Sequence, residues 1–278
     1  MSKIAIVGAG SMAEAFISGI LEQDLIDQKN IWVTNHSNQE RLQSLEKRYG
    51  IQSTYDLNEL FAGAGTVMLA MKPKDASAGI EEIREYLTEQ MLIVSVLAGV
   101  SMETIERLAE KPLSIARAMP NTSAAVGKST TAIAVNKRVS ELQIENAKKL
   151  FDTVGMATFV EEEQLDAVTG LSGSGPAYIY YLIEAMENSA VEIGLDKQMA
   201  KELIVQTLIG AAEMVKNSAK TSKALRLEVT SPGGTTEAGI NILEENQVQQ
   251  AFISCIKAAA LQSKRMGDAL SSQLKVGK

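Results

Sequence analysis

Short apolar runs alternate with amphipathic segments through the first half of the chain. The runs predicted as strands are Lys3–Val7, Ile31–Thr34, Thr66–Ala70, Leu92–Val96, Ser114–Ala118 and Thr131–Val135. Between them lie segments with helical spacing, such as Ser11–Glu22, in which the apolar residues fall on one face. Strands that are apolar almost throughout are typical of a parallel sheet covered by helices on both faces. The pattern therefore predicts an α/β domain with a doubly wound, mostly parallel sheet.

The pattern changes after three consecutive glutamates at Glu161–Glu163, which indicate an exposed boundary. Beyond them the spacing predicts long helices, with Ser174 or Gly175 before the first, Gly194 after it and Asp196 capping the second. These helices are Pro176–Ile193, a segment from Asp196 to Asn217, Thr236–Glu244 and Gln247–Met266. We therefore expect an α/β domain over residues 1–160 and an all-α domain over residues 161–278. The tail Ser271–Lys278 is expected to be loose.

The second long helix of the all-α half has an unusually small and apolar face. That face includes Met199, Leu203, Gly210, Ala211 and Met214. Either the half is an ordinary helical domain, or helices from two chains share one core. We favour the second interpretation, a homo-oligomer, because these helices are more apolar than a small domain needs to cover itself.

The charge balance argues against nucleic acid as a partner. With 27 basic and 34 acidic residues among 278, the formal net charge is −7, and aromatic residues make up only 4%. Phosphate backbones are bound by basic surfaces, and bases stack on aromatic side chains. A single cysteine, Cys255, excludes an internal disulfide and a multi-cysteine metal site, so no metal is expected. A single histidine, His36, excludes any mechanism that needs a histidine pair.

The apolar runs are too short for export or for a membrane span. Ile4–Val7 is shorter than the core of a signal peptide, and no small-residue cleavage site follows it. The stretch Met91–Met102 also falls short of the roughly 18 apolar residues that a membrane helix needs. Together with the lone thiol, this predicts a cytoplasmic protein without a membrane partner.

A glycine-rich motif, Gly8-Ala9-Gly10-Ser11-Met12-Ala13, follows the first predicted strand and opens the first helix. It fits the pattern G-x-G-x-x-G/A of dinucleotide-binding βαβ units. Gly8 permits a tight turn, Gly10 lets a pyrophosphate approach the backbone, and Ala13 allows close packing of helix on strand. A glycine-rich turn without a nucleotide is the alternative, but the position directly after a strand favours dinucleotide binding by a Rossmann-type domain.

The end of the second predicted strand distinguishes between cofactors. It reads Val33-Thr34-Asn35-His36-Ser37, with no carboxylate before Glu40. NAD enzymes usually place a carboxylate here for the ribose 2′-hydroxyl, and a carboxylate would repel a 2′-phosphate. Asn35, Ser37 and Arg41 are instead predicted to donate hydrogen bonds to that phosphate, so NADPH is favoured and NADH is the less favoured alternative. His36 is either a neighbour of the adenine or a bystander on the surface.

Further turns follow the later strands of the α/β half. Ala70-Met71-Lys72-Pro73 and Ala98-Gly99 end two of them, and Met119-Pro120-Asn121-Thr122 ends the next. Ligands of open α/β sheets lie outside the carboxyl ends of the strands. We therefore expect the first two turns to contact the ribose and nicotinamide of the cofactor, and the third turn to extend the same side of the binding site. The alternative is that all three are tight turns at strand ends without a ligand.

Two turns in the helical half combine hydroxyl groups with glycines. They are Leu171-Ser172-Gly173-Ser174-Gly175-Pro176-Ala177-Tyr178 and Thr230-Ser231-Pro232-Gly233-Gly234-Thr235-Thr236. Each offers hydroxyls and exposed backbone N–H groups beside a helix N-terminus, which suits a carboxylate. The alternative for each is a capped turn without a ligand. Neither turn holds a lysine or histidine placed as an obvious acid or base.

Taken together, the motifs GAGSMA, AMKP, AMPNT, GLSGSGPAY and VTSPGGTT resemble those of pyrroline-5-carboxylate reductases, in the order and spacing of that family and over essentially the whole chain. The resemblance implies reduction of 1-pyrroline-5-carboxylate to L-proline with NAD(P)H, the last step of proline biosynthesis. It also implies a Rossmann domain followed by a helical dimerisation and substrate-binding domain, whose dimers often assemble into decamers.

The resemblance also assigns roles in the second turn. Ser231, Gly234 and Thr235, with Gly233 in the same turn, would hold the substrate carboxylate, and Thr236 would hydrogen-bond the ring nitrogen as the catalytic residue. The alternative for Thr236 is that it only caps the helix that follows. One departure is Leu227-Glu228, where many members have an acidic or polar residue at the first position.

No general acid is assigned, because a cyclic imine is already an electrophile and hydride transfer to it needs mainly correct placement. A β-hydroxyacid dehydrogenase is disfavoured, since that family uses a lysine on the helix corresponding to Pro176–Ile193, which has none. A reductase of another cyclic imino acid and a non-catalytic nucleotide-binding homologue remain as alternatives.

Overall fold

The computed structural model describes the backbone of residues 2–276 and the side chains of residues 2–269. Its contacts divide the chain into two compact units. The first comprises Met1–Pro176 together with Lys257–Lys278, and the second comprises Ala177–Ile256. The domain boundary expected after residue 160 stays a prediction.

The first unit contains an eight-stranded sheet in the order β3-β2-β1-β4-β5-β6-β7-β8. The strands are β1 (Lys3–Val7), β2 (Ile31–Thr34), β3 (Gln52–Ser53), β4 (Ala64–Leu69), β5 (Leu92–Ser95), β6 (Ser114–Met119), β7 (Ser129–Val135) and β8 (Gly155–Phe159). All neighbouring pairs are parallel except β6 and β7, which are antiparallel. This confirms the predicted doubly wound, mostly parallel sheet.

Seven α-helices belong to the described part of the first unit before the π-helical turn at Thr169–Gly173. They are α1 (Ser11–Glu22), α2 (Gln39–Tyr49), α3 (Leu57–Phe61), α4 (Ala76–Ile83), α5 (Met102–Ala109), α6 (Glu141–Asp152) and α7 (Leu165–Val168). Successive side chains of a strand point to opposite faces. Accordingly, Ile4 and Ile6 of β1 belong to one buried cluster, whereas Ala5 and Val7 belong to another. The sheet therefore has a hydrophobic core on each face.

After a single π-helical turn, Thr169–Gly173, the chain is helical. The helices are α8 (Gly175–Glu192), α9 (Lys197–Asn217), α10 (Ser222–Glu228), α11 (Thr235–Glu245) and α12 (Val248–Val276). Asp196 caps α9 as predicted, since its Oδ1 accepts a hydrogen bond of 2.9 Å from the N–H of Met199. α12 runs ten residues beyond its predicted end. The backbone of the tail expected to be loose is thus helical to Val276, and its last two residues lie outside the described part.

The second unit buries little of its own apolar surface. Among its described residues, the hydrophobic side chains classed as buried are Ala190, Ala200 and Ile204. Many larger ones are exposed, including Ile179, Tyr181, Leu203, Ile209, Met214, Ile242 and Phe252. Within the described residues, no helix has the length and apolar character of a bilayer span, and no three His, Cys, Asp or Glu side chains cluster as a metal site would require.

Candidate active site

The glycine motif lies where β1 turns into α1. Gly8 has φ of +112°, and its N–H donates a 2.9 Å hydrogen bond to the carbonyl of Thr34. A Cβ atom built on Gly8 would lie 2.5 Å from the carbonyl carbon of Ala70, so the motif directly contacts the turn after β4. Only glycine satisfies both the positive φ and this close approach.

The next part of the motif has the features of a phosphate site. Gly10 is the N-cap of α1, and no side chain caps this helix. A Cβ atom built on Gly10 would meet nothing within 4 Å, so the space over the turn is open. The first N–H groups of a helix carry partial positive charge and bind anions when no cap occupies them. The residues present therefore fit a dinucleotide pyrophosphate.

The turn after β2 is held by the side chain of Asn35. Its Nδ2 donates to the carbonyl of Asn38 at 2.7 Å, and its Oδ1 accepts from the N–H of Asn38 at 2.8 Å and from the Tyr55 hydroxyl at 3.1 Å. The amide of Asn35 thus shapes the turn. Ser37 and His36 are both exposed on it, so the part that each plays in cofactor binding stays a prediction.

Arg41 reaches from α2 to the glycine motif. Its Nε donates to the carbonyl of Ala9 at 2.8 Å, and its Nη2 pairs with Glu14 at 2.5 Å. The Glu14 carboxylate also accepts from Arg48 at 3.0 Å and from the Tyr49 hydroxyl at 3.1 Å. Two guanidinium groups and one carboxylate leave this cluster with a net charge of +1. The Nη1 group of Arg41 has no hydrogen-bond partner among the described residues, which fits a nearby phosphate.

The same contacts shift two pKa values. The hydrogen bond from Arg41 lowers the pKa of Glu14, and burial opposes that shift without cancelling it. Burial raises the pKa of Tyr49, and the hydrogen bond to Glu14 adds to the rise. Glu14 is therefore a carboxylate at neutral pH and Tyr49 is its neutral donor.

The turns after β4 and β5 lie at neighbouring strand ends. The N–H of Ala70 donates to the carbonyl of Val7 at 2.8 Å, Met71 and Pro73 are partly buried, and Lys72 is exposed. Ala98 is partly buried and Gly99 is buried. The atoms that cover Gly99 belong to α12, where Ser263, Met266 and Gly267 lie within 4 Å of a Cβ atom built on it.

The turn after β6 is bound to the π-helical turn. Asn121 donates from Nδ2 to the carbonyl of Ser172 at 3.1 Å. A Cβ atom built on Gly173 would lie 2.8 Å from the Cε of Met119. The turn after β6, which we expect to line the cofactor site, therefore lies against the first glycine–serine turn. The start of that glycine–serine turn is π-helical, a conformation that is frequent at functional sites.

In the second unit, the segment from Thr230 to Thr236 forms a closed turn. The N–H of Gly234 donates to the carbonyl of Ser231 at 3.0 Å, and the N–H of Gly233 donates to Glu237 Oε2 at 2.7 Å. Gly233 therefore supplies the shape of the turn, because its N–H is already occupied.

α11 begins at Thr235, its N-cap is Gly234, and no side chain caps it. The alternative that Thr236 caps the helix is thus wrong, because Thr236 already lies inside the first turn. Ser231, Thr235 and Thr236 are exposed. With hydroxyl groups beside uncapped helix N–H groups, this turn fits a carboxylate.

Sequence reasoning missed three residues that shape these turns, namely Glu14, Tyr55 and Glu237. It named Asn121 in the turn after β6 but did not predict the hydrogen bond of Asn121 to Ser172. For two of the three missed residues the sequence holds a signal. Arg41 and Arg48 are seven residues apart, which places both on one face of α2 and indicates an acidic partner there. A glutamate at the third position of a helix, such as Glu237, is typical of one that reaches back to the N–H groups before it.

Family models match both halves of the chain. Residues 162–266 match the model described as pyrroline-5-carboxylate reductase dimerisation. Residues 3–99 match the model described as NADP oxidoreductase, coenzyme F420-dependent. The first match covers most of the helical half, and the second covers the glycine motif and the turns after β4 and β5.

Whole-chain comparisons agree with these matches. The chain is 49% identical over 263 residues to pyrroline-5-carboxylate reductase 2 of Bacillus subtilis (strain 168), covering 95% of this chain and 94% of that protein. A pyrroline-5-carboxylate reductase structure from Coxiella burnetii has a TM-score of 0.86 at 35% identity, covering 95% of this chain and 98% of that one. The Plasmodium falciparum pyrroline carboxylate reductase, solved with NADP bound, has a TM-score of 0.88 at 28% identity, covering 96% and 98%. The chain therefore belongs to the pyrroline-5-carboxylate reductase family.

Proposed function

We propose that this protein reduces 1-pyrroline-5-carboxylate to L-proline with NADPH, the last step of proline biosynthesis. The observation that carries this proposal is the turn from Ser231 to Thr236. It ends in a helix N-terminus that no side chain caps, it presents three hydroxyl groups, and it lies in a chain of the reductase family. A site of this kind suits a small carboxylate next to a group that accepts a hydrogen bond.

In this proposal the second unit anchors the substrate. The substrate carboxylate accepts hydrogen bonds from the first N–H groups of α11 and from the hydroxyls of Ser231 and Thr235. The backbone of Gly233 and Gly234 leaves room for it. The Thr236 hydroxyl, one residue further along, contacts the ring nitrogen and orients the C=N bond.

The chain supplies placement rather than a strong acid. The substrate turn contains no lysine or histidine, and the Glu237 carboxylate is occupied by the N–H of Gly233. NADPH, when bound, supplies the hydride for the imine carbon. The imine nitrogen takes its proton from solvent before hydride transfer, and the resulting iminium carbon needs little further activation. The residues of the chain therefore act by orienting the substrate.

The first unit binds the cofactor. Gly8, Gly10 and the N-terminal residues of α1, from Ser11 to Ala13, hold the pyrophosphate. Ser37 and Arg41 bind the 2′-phosphate, with Asn35 as the residue that shapes their turn. The turns Ala70–Pro73 and Ala98–Gly99 contact the ribose and nicotinamide. The absence of a carboxylate after Thr34 and the net positive charge around Arg41 favour NADPH over NADH.

The assembly is a homodimer, which the exposed apolar side chains of the second unit support. A side chain such as Tyr181 is 75% exposed and Ile209 is 52% exposed in the single chain. Burying apolar surface stabilises by about 25 cal/mol per Å², so covering many such side chains favours association. Further assembly into a decamer and a location in the cytoplasm belong to the same proposal, on the resemblance to the family.

The decisive experiment follows NADPH absorbance with purified protein and three additions: 1-pyrroline-5-carboxylate, a six-membered cyclic imino acid, and buffer. We expect oxidation with the five-membered substrate and recovery of L-proline on a chiral column. Faster turnover of the six-membered ring would favour a reductase of another imino acid. NADPH binding without any turnover would favour a non-catalytic homologue.

A further inference from the structure

The last part of α12 packs backbone to backbone against the turn after β5. A Cβ atom built on Gly267 would lie 2.5 Å from the carbonyl oxygen of Gly99, and one built on Gly99 would lie 3.2 Å from the N–H nitrogen of Gly267. Gly267 has no room for a side chain, and at Gly99 a side chain would be tightly packed and would have to adopt a positive φ of +74°. The two glycines allow a helix to touch a loop more closely than any other pair of residues would.

A partly buried hydrogen bond fixes α12 one helical turn earlier. Ser263 is 5% exposed, and its Oγ donates to Asp166 Oδ1 at 2.6 Å. Asp166 lies in α7, directly before the π-helical turn at Thr169–Gly173. Ser263 and Gly267 are four residues apart, so they lie on the same face of α12.

This face of α12 therefore contacts two elements near the proposed nicotinamide site. One is the Ala98–Gly99 turn, and the other is α7, which leads into the π-helical turn. Through Gly267 it contacts the Ala98–Gly99 turn. Through Ser263 it holds α7, from which the π-helical turn extends to Ser172 and its hydrogen bond with Asn121. Both contacts occur within the first unit.

We propose that Ser263 and Gly267 are positioning residues, which set the Ala98–Gly99 turn and the π-helical turn at the places that the nicotinamide end of the cofactor requires. The inference rests on the proposed function, because that function assigns the Ala98–Gly99 turn to the nicotinamide. Neither residue touches the reacting atoms. Their effect is transmitted by the backbone of Gly99 and by α7.

The geometry sets the size of the effect. A methyl group at Gly267 lies 2.5 Å from the Gly99 oxygen, whereas ordinary contact begins at 3.4 Å. The loop or the helix must therefore shift by almost one ångström in the Gly267→Ala variant. A misplacement of about 1 Å costs up to roughly 100-fold in rate when it affects the alignment of reacting groups.

The matched control is Gly239→Ala. Gly239 is also a helical glycine, in α11, but a Cβ atom built on it meets nothing within 4 Å. Both substitutions add one methyl group, and both raise the intrinsic helix propensity by about 1 kcal/mol. In the single chain the methyl group meets a carbonyl oxygen at position 267 and no atom within 4 Å at position 239.

Two measurements distinguish positioning from loss of structure. Calorimetry gives the Kd of 2′,5′-ADP, which lacks the nicotinamide, and the Kd of NADP⁺, which carries it. For Gly267→Ala we expect kcat to fall about tenfold or more and the Kd of NADP⁺ to rise several-fold, with the Kd of 2′,5′-ADP within about twofold of wild type. Gly239→Ala should match wild type in all three.

A second pair of variants tests the hydrogen bond. Asp166→Asn keeps an oxygen acceptor for the Ser263 hydroxyl, whereas Asp166→Ala removes it. We expect Asp166→Ala to reproduce the defect of Gly267→Ala and Asp166→Asn to restore most of the activity.

Three results would overturn the inference: a wild-type kcat in Gly267→Ala, an equal loss of 2′,5′-ADP and NADP⁺ binding, or equal defects in the two Asp166 variants. If the wild type itself fails to reduce 1-pyrroline-5-carboxylate, the proposed function is wrong. The two Kd values then still test the positioning, since they require no turnover.

Discussion

Removing the Arg41 side chain should change cofactor preference, because Arg41 is the one cation that contacts the glycine motif among the described residues. Its guanidinium is held between the carbonyl of Ala9 and the carboxylate of Glu14, and its Nη1 group is available for a phosphate. NADPH carries the 2′-phosphate that would use that group, and NADH does not. The Arg41→Ala variant therefore removes a contact that only one cofactor makes.

The size of the change follows from the type of bond. A hydrogen bond with a charged partner contributes about 1.5–3 kcal/mol, which corresponds to roughly 10- to 150-fold in kcat/KM. The contact with Ala9 supports the loop for both cofactors, so its loss cancels in the ratio. We expect the ratio of kcat/KM for NADPH to that for NADH to fall by about tenfold or more.

Arg48→Ala is the control for this experiment. Arg48 binds the same Glu14 carboxylate, yet its side chain is 68% exposed against 29% for Arg41, and it has no hydrogen bond to the glycine motif among the described residues. Exposed charges at a distance are screened by salt. At physiological ionic strength the ratio in Arg48→Ala should stay within about twofold of wild type. An equal drop with both cofactors in Arg41→Ala, or the same ratio change in both variants, would refute the assignment of Arg41 to the 2′-phosphate.

Three further predictions concern Thr236, Glu14 and the assembly. Thr236→Val should lower kcat/KM about tenfold or more, and Thr236→Ser should lower it much less. Both variants should keep the melting temperature of wild type, because Gly234 and not Thr236 is the N-cap of α11. A fall in melting temperature without a fall in kcat/KM would remove Thr236 from the site. Glu14 has a folded pKa below its ordinary value of 4.5, so the stability it adds is present above that pH and is lost as the pH falls through the lowered pKa. Urea titrations of Glu14→Gln against wild type should therefore diverge at neutral pH and converge in acid, and a constant difference would contradict this. Sedimentation at micromolar concentration should show no appreciable 29.9 kDa species, and an active monomer would disprove the dimer.

The parallel sheet was predictable because its signal is local. β1 alternates between two buried faces. Its short length, its β-branched residues and the glycine that follows it favour a strand over a helix. The direction of β7 was not predictable, since a buried strand has the same composition whether it runs parallel or antiparallel. β3 was missed for another reason: its two residues, Gln52 and Ser53, carry no apolar pattern at all.

In the candidate site, too, local features were predictable from the sequence and contacts between distant residues were not. The turn of Gly8 follows from a motif whose residues are neighbours in sequence. The link between Arg41 and Glu14 joins residues that are 27 positions apart, and only the packing of α2 beside α1 brings them together. At Asn35 the sequence suggests a phosphate donor but not the turn that its side chain holds, in which one amide N–H donates to the carbonyl of Asn38 and Oδ1 accepts from the N–H of Asn38. The contact of Asn35 with the 2′-phosphate stays a prediction.

Gly8 and Gly267 show why the same residue can be easy to interpret at one position and hard at another. At Gly8 the chain turns with positive φ beside Ala70, and the surrounding motif predicts both features. At Gly267 the backbone is helical, where glycine costs about 1 kcal/mol relative to alanine and a sequence pattern suggests only a weaker helix. The contact with Gly99 supplies the missing reason, since an alanine at Gly267 would place its methyl group 2.5 Å from a carbonyl oxygen. The cost in helix propensity is thus offset by a close approach that no larger residue allows, at the loop that the nicotinamide would meet.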